Sequence, residues 1–277
     1  MTTTTTPITE HVVTASGGHQ LRYATRRGGG AGITLVFVHG WPDSWRSFQP
    51  VLDALSPTIG AISVSLRGFG GSEAPPAGYT PDDFAADVVD LAEHLDLTSA
   101  VFVGHSMGTL VVQRLAALRP DLVAGLVLIG GLNRLPDDVY DEVWSVVENL
   151  ADPISEQFVR EFQSSTLAAP VSDVFFDQLV AESLRAPARV WRAAFAGIRT
   201  MPPADDANIT APTLLVWGDH DALVPRAEQN TLLSAIPNAR LITYTGAGHS
   251  PNWEQPERVA HDIEAFVRTS ITQASPT

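Results

Sequence analysis

The chain has 277 residues, none of them cysteine or lysine, and its 17 arginines against 31 acidic residues give a net charge of −14. Thiol nucleophiles, thiolate metal sites and disulfides are thereby excluded, as are a Schiff-base lysine and a lysine-dependent phosphate loop. The acidic balance argues against a nucleic-acid partner, and no apolar stretch approaches the ~20 residues that a membrane helix needs.

Met1–Pro7 is a threonine run without the charged start and apolar centre of a signal peptide; it and Gln273–Thr277 read as frayed tails, and a cytoplasmic location is the expectation. Two antiparallel strands are predicted around His11–Ala15 and Gln20–Arg26, turned by Gly17-Gly18. After a flexible connection over Gly28–Gly32, the continuous apolar run Ile33–Val38, ended by His39-Gly40, reads as a strand buried on both faces. Ala61–Leu66 is a strand, and Pro81–Leu95 a helix with Phe84, Val88, Leu91 and Leu95 on one face. Strand Ala100–Val103 is followed by a helix from Ser106 to Leu118, and then by strand Leu126–Ile129. Strands Thr213–Trp217 and Arg240–Tyr244 flank a helix at Ala227–Ala235, and a last helix covers Pro256–Ile271. This alternation predicts an α/β fold, with a doubly wound, mostly parallel, eight-stranded sheet.

One interval interrupts the alternation. Between Gly131 and Thr210 four helices fit, at Asp137–Leu150, Ser155–Ser165, Val171–Leu184 and Ala188–Arg199, with prolines near their starts. The expected organisation is a core of residues 1–132 and 211–277 with a helical cap, residues 133–210, inserted in it. A cleft between cap and sheet is a common place for a ligand. Most of the cap's aromatic residues are expected to pack its interior.

Gly104-His105-Ser106-Met107-Gly108 has the form Gly-x-Ser-x-Gly between a strand and a helix. That context lifts the serine hydroxyl above the sheet and aims a helix N-terminus at it. The bland alternative is a buried turn serine that caps the helix. A serine hydroxyl needs a base, and eight histidines are available.

The strand–turn–helix unit around Ser106, the His39-Gly40 after an earlier strand, and the late Gly246-Ala247-Gly248-His249 resemble the α/β-hydrolase superfamily over nearly the full chain. The resemblance implies Ser106 as nucleophile and His249 as base, in a loop after the last strand. It implies Asp221 as the orienting acid, three residues after Gly218, with Asp219 as the competitor. His105 is expected to point away from the nucleophile and to support packing. The resemblance also implies an oxyanion hole built from the backbone N–H groups of Met107 and Trp41, because Pro42 has none to give. His39 reads as a loop brace and Asp43 as a cap of the helix starting near Ser44, though both are kept as pocket candidates with Trp144 and Trp191. Gly68, Gly70 and Gly71 read as a structural turn, not a dinucleotide loop.

The implied activity is hydrolysis of a carboxylic ester or lactone through an acyl-enzyme, without metal or cofactor, on a small-molecule substrate. Perhydrolase or haloperoxidase chemistry and carbon–carbon bond hydrolysis are the alternatives on the same fold, and a non-enzymatic receptor-like role is a more distant one. The sequence leaves the oligomeric state open.

Overall fold

The computed structural model describes residues 6–29, 32–200 and 208–271. The expectation of a frayed Gln273–Thr277 tail lies outside these residues, as do the first five residues of the threonine run and residues 30–31 of the flexible connection.

Eight strands form one sheet in the order β1-β2-β4-β3-β5-β6-β7-β8. They are β1 Ile8–Thr14, β2 Gln20–Arg26, β3 Thr34–Val38, β4 Ala61–Ser65, β5 Ala100–His105, β6 Val123–Ile129, β7 Thr213–Gly218 and β8 Ala239–Tyr244. β2 runs antiparallel to both β1 and β4, and every pairing from β4 through β8 is parallel. The sequence explains the difference. β3, β4, β5 and β7 are nearly continuous runs of buried residues, as strands covered on both faces must be, whereas β1 alternates between exposed and covered positions at the sheet edge.

Helices α1 Gln49–Ala54, α2 Pro81–His94, α3 Met107–Leu118, α4 Asp137–Val147, α5 Glu156–Ser165, α6 Asp173–Ser183, α7 Ala188–Ile198 and α8 Arg226–Ala235 lie between strands, and α9 Pro251–Glu254 and α10 Pro256–Phe266 follow β8. α2 begins where it does because Thr80 and Asp83 form a reciprocal capping box ahead of Pro81, whose missing N–H costs nothing in the first turn. Two clusters of buried apolar side chains cover the two faces of the sheet. α4 to α7 all lie between β6 and β7 in the chain. Among the described residues no helix is long and apolar enough to cross a membrane.

The parallel register sets the site. Val38 pairs with Gly104, and His105 with Ile129, so the loops leaving β3, β5 and β6 emerge side by side at one end of the sheet. In open parallel sheets the crevice beyond the carboxyl ends of the strands is where ligands bind.

Candidate active site

Ser106 stands between β5 and α3 with φ 50° and ψ −121°, a backbone conformation that residues other than glycine rarely adopt. The strain is held by close packing on both sides. A Cβ on Gly104 would lie 2.5 Å from the carbonyl oxygen of Gly108, and one on Gly108 would lie 2.2 Å from that of Val38. Only glycine permits these approaches. The Ser106 N–H donates to the Ile129 carbonyl at 3.0 Å, which ties the turn to β6.

His249 is carried by the loop after β8. Its ring Nδ1 lies 2.9 Å from Asp221 Oδ2, and the imidazole is 3% exposed as a residue. An Nδ1–H donated to this carboxylate leaves Nε2 as the basic nitrogen, and His249 lines the same cavity as Ser106. The other oxygen, Asp221 Oδ1, accepts from the N–H groups of Leu223 and Val224 at 2.9 Å each. Burial alone would raise the Asp221 carboxyl; the His249 charge, its hydrogen bond and those two N–H groups outweigh burial and hold it below the ordinary carboxylate value. Asp219 has a different task. Its Oδ1 accepts from the Gly246 N–H at 2.7 Å and braces the loop.

The N–H groups of Trp41 and Met107 donate to no protein acceptor among the described residues, and both residues line the cavity with Ser106. Trp41 is fixed by its indole, which donates to the Trp191 carbonyl at 3.1 Å and meets the rings of Phe162, Trp191 and Phe195 about 5 Å away. The cavity encloses about 50 Å³ under walls of Leu132, Leu135, Val139, Val143, Phe162 and Phe195. Trp253 also lines it, its ring 5.7 Å from that of His105.

Several expectations are corrected here. Asp43 does not cap the following turn. Ser44 does, its hydroxyl accepting from the Arg46 N–H at 3.2 Å, and the Asp43 carboxyl turns inward to line the cavity. Of the other pocket candidates, His39, Trp144 and Trp191 stand behind the wall and are not lining residues. His39 is fully buried; its Nδ1 is 2.7 Å from the Gly40 carbonyl, and its Nε2 accepts the Leu66 N–H at 3.0 Å. Burial pushes its pKa down to about 4, so it braces the loop as a neutral ring. Trp191 fills the space behind Trp41, and Trp144 stacks with Tyr140 and Phe195. His105 does not point wholly away from the nucleophile: it lines the cavity and its Nε2 is 3.1 Å from the carbonyl of His249.

Three positions were not foreseen. Gln163 on α5 reaches Asp43 at 3.0 Å. Thr166, just beyond α5, accepts the His249 N–H on its carbonyl at 2.8 Å. Glu254 accepts the Gly248 N–H at 2.8 Å and the Ala168 and Ala169 N–H groups at 3.1 and 2.8 Å. None has a sequence signature, because each acts on a partner brought near only by folding.

Residues 35–262 match the sequence model of the alpha/beta hydrolase family. The chain belongs to that family. It is 31% identical to a non-heme chloroperoxidase of Streptomyces lividans, over 93% of this chain and 99% of that one. Among solved structures, a thermophilic esterase from Thermogutta terrifontis superposes with a TM-score of 0.80 at 27% identity, covering 95% of this chain and 100% of that one. A bromoperoxidase from Bacillus anthracis superposes at 0.82 with 25% identity, covering 94% and 100%. The family's relatives here therefore span esterases and haloperoxidases.

Proposed function

We propose that this alpha/beta hydrolase cleaves an uncharged carboxylic ester or lactone through an acyl-enzyme on Ser106. The observation that carries the reading is the Asp221–His249 pair at 2.9 Å, held against the cavity that Ser106 enters from its strained turn. His249 takes the Ser106 proton as the oxygen attacks the carbonyl carbon. The tetrahedral oxyanion is received by the N–H groups of Met107 and Trp41. Collapse breaks the acyl–oxygen bond, and the imidazolium gives its proton to the leaving alcohol. Water, deprotonated by His249, then attacks the acyl carbon and releases the acid and Ser106. The helices α4 to α7 serve as a cap whose apolar inner wall favours an apolar acyl chain. An epoxide-opening mechanism fits poorly, because the nucleophile position carries a hydroxyl and not a carboxylate.

The chloroperoxidase and bromoperoxidase relatives favour one second reading, perhydrolysis. Hydrogen peroxide would replace water on the same acyl-enzyme and leave as a peracid. A fluorophosphonate probe tests the shared part: it should label the wild type and not Ser106→Ala. A series of alkyl esters and lactones, each assayed with and without peroxide, then separates the two. Absence of labelling in a folded protein sinks both.

A further inference from the structure

Asp43 is a carboxyl in an unusual place. It is 2% exposed and lines the cavity, two residues from the proposed oxyanion donor Trp41. Its Oδ1 accepts from the Gln163 amide at 3.0 Å, and that amide also donates to Ser183 Oγ at 2.9 Å. Its Oδ2 lies 3.9 Å from Nδ1 of His105.

The proton inventory of His105 decides what faces Oδ2. His105 Nε2 is 3.1 Å from the His249 carbonyl, which can only accept, so the Nε2 position carries the ring hydrogen. Burial, reinforced by the charge of His249, pushes the His105 pKa down to about 3, so the ring has no second proton to place. Nδ1 is therefore a bare lone pair, buried and without a partner among the described residues. An ionised Asp43 would set a second acceptor near it where both side chains are buried, an arrangement that costs free energy on both sides. At 3.9 Å the two atoms are too far apart for a hydrogen bond, but a proton on Asp43 removes the charge that would face this lone pair.

The surroundings offer an ionised Asp43 little relief. From β5 comes the neutral His105, from α5 Gln163 and from α6 Ser183. Among the described residues, the positive charge that reaches it is that of His249 in the loop after β8, present only when that ring carries a second proton. Arg46, in the turn after Ser44, is directed outward to Glu10 and Glu182. Burial accordingly pushes the Asp43 carboxyl up to about 7, with the Gln163 bond and the His249 charge pulling it back.

Building on the ester-hydrolase reading, we infer that Asp43 is a neutral acid in the working enzyme, kept protonated by buried surroundings that set a bare lone pair of His105 near it, and that loss of this proton shuts the reaction off by placing a negative charge beside the forming oxyanion. The oxyanion hole stabilises developing negative charge with fixed dipoles, and a carboxylate lining the same cavity opposes them. The sign follows: the reaction needs His249 as a free base, and activity falls on the alkaline side as Asp43 ionises.

The test is the pH profile of kcat/KM on an uncharged alkyl ester, read by product chromatography, for the wild type, Asp43→Asn and Gln163→Leu. The wild type should show both limbs, the alkaline one steepening to about tenfold per pH unit. Asp43→Asn keeps an N–H where the acid has O–H, and should retain the acid limb and lose the alkaline one. Gln163→Leu removes a donor that favours the ionised form, and should move the alkaline limb to higher pH. An infrared titration of the wild type against Asp43→Asn reads the carboxylic-acid carbonyl band directly, with no substrate present. That band should be present at about pH 6 and vanish on the alkaline side. An alkaline limb that survives in Asp43→Asn, or a missing acid band, overturns the inference. If Asp43→Asn does not fold, a limb that stays put or moves down in Gln163→Leu overturns it. If no ester is cleaved in a Ser106-dependent way, the ester-hydrolase reading fails and the infrared band alone decides whether Asp43 holds its proton.

Discussion

At the scale of single residues, the site divides its carboxylates by environment. Asp221 is buried but accepts three hydrogen bonds, from His249, Leu223 and Val224, and stays ionised; Asp43 is buried with one donor and gains a proton. Ser106→Ala should lower kcat by about 10³-fold or more, and Asp221→Asn by about 10³ to 10⁴, because the amide would hold His249 in the wrong tautomer. Asp219→Asn should leave kcat within about threefold, since Asp219 only braces the Gly246 loop. Steady-state kinetics on one ester checks all three. Ser106 was marked by its Gly-x-Ser-x-Gly turn, and Asp221 and His249 by the resemblance of their glycine-bearing loops to the family's; the fold places Asp221 2.9 Å from His249, which lines one cavity with Ser106. Asp43 was visible only as an ambiguity. Whether its carboxyl caps the next turn or enters the cavity depends on Gln163, 120 residues away, and on Ser44 taking the cap instead.

At the scale of elements, the strand runs announced themselves by continuous burial, and α2 by its capping box and apolar spacing. What could not be read was how the loops lock together. Glu254, at the end of α9, gathers N–H groups from Gly248 and from Ala168 and Ala169, so one carboxylate joins the His249 loop to the segment after α5. The His249 N–H adds a second tie to Thr166 in that segment. Glu254→Gln sets an amide NH₂ against some of these donors and should cost about 1–3 kcal/mol. Hydrogen exchange at the Ala168 and Ala169 amides should accelerate, and kcat should fall more than KM rises. Unchanged exchange there would show that the carboxylate does not hold the segment.

At the scale of the whole molecule, the apolar cluster on one face of the sheet runs without a break from Val36 and Leu110 to Trp191 and Phe195 of α7. α7 approaches the core so closely that a Cβ on Gly197 would lie 2.2 Å from the Tyr79 carbonyl oxygen. The inserted helices are thus seated on the sheet's own core, a degree of integration that the break in strand alternation did not reveal. A buried ionic knot ties other distant parts together. Asp87 on α2 accepts from Arg67, after β4, at 2.6 and 2.5 Å, and lies 2.9 Å from Nε2 of His19 in the first hairpin. Asp87→Ala removes the shared carboxylate and leaves the mostly buried Arg67 charge with only the Gly78 and Asp83 carbonyls to face. It should cost about 3–5 kcal/mol and lower Tm by roughly 6–15 °C, measurable by calorimetry. His19, remote in sequence from every motif, owes its burial to this knot.

Two of the six tryptophans, Trp41 and Trp253, form part of the cavity wall. The chain therefore carries its own optical reporter. An acyl group on Ser106 would displace solvent from both indoles and alter their emission. Rapid mixing with a good ester should give a fluorescence transient whose fast phase measures acylation and whose recovery measures deacylation. The transient should disappear in Ser106→Ala, and its recovery phase should quicken with peroxide only if peroxide takes the acyl group.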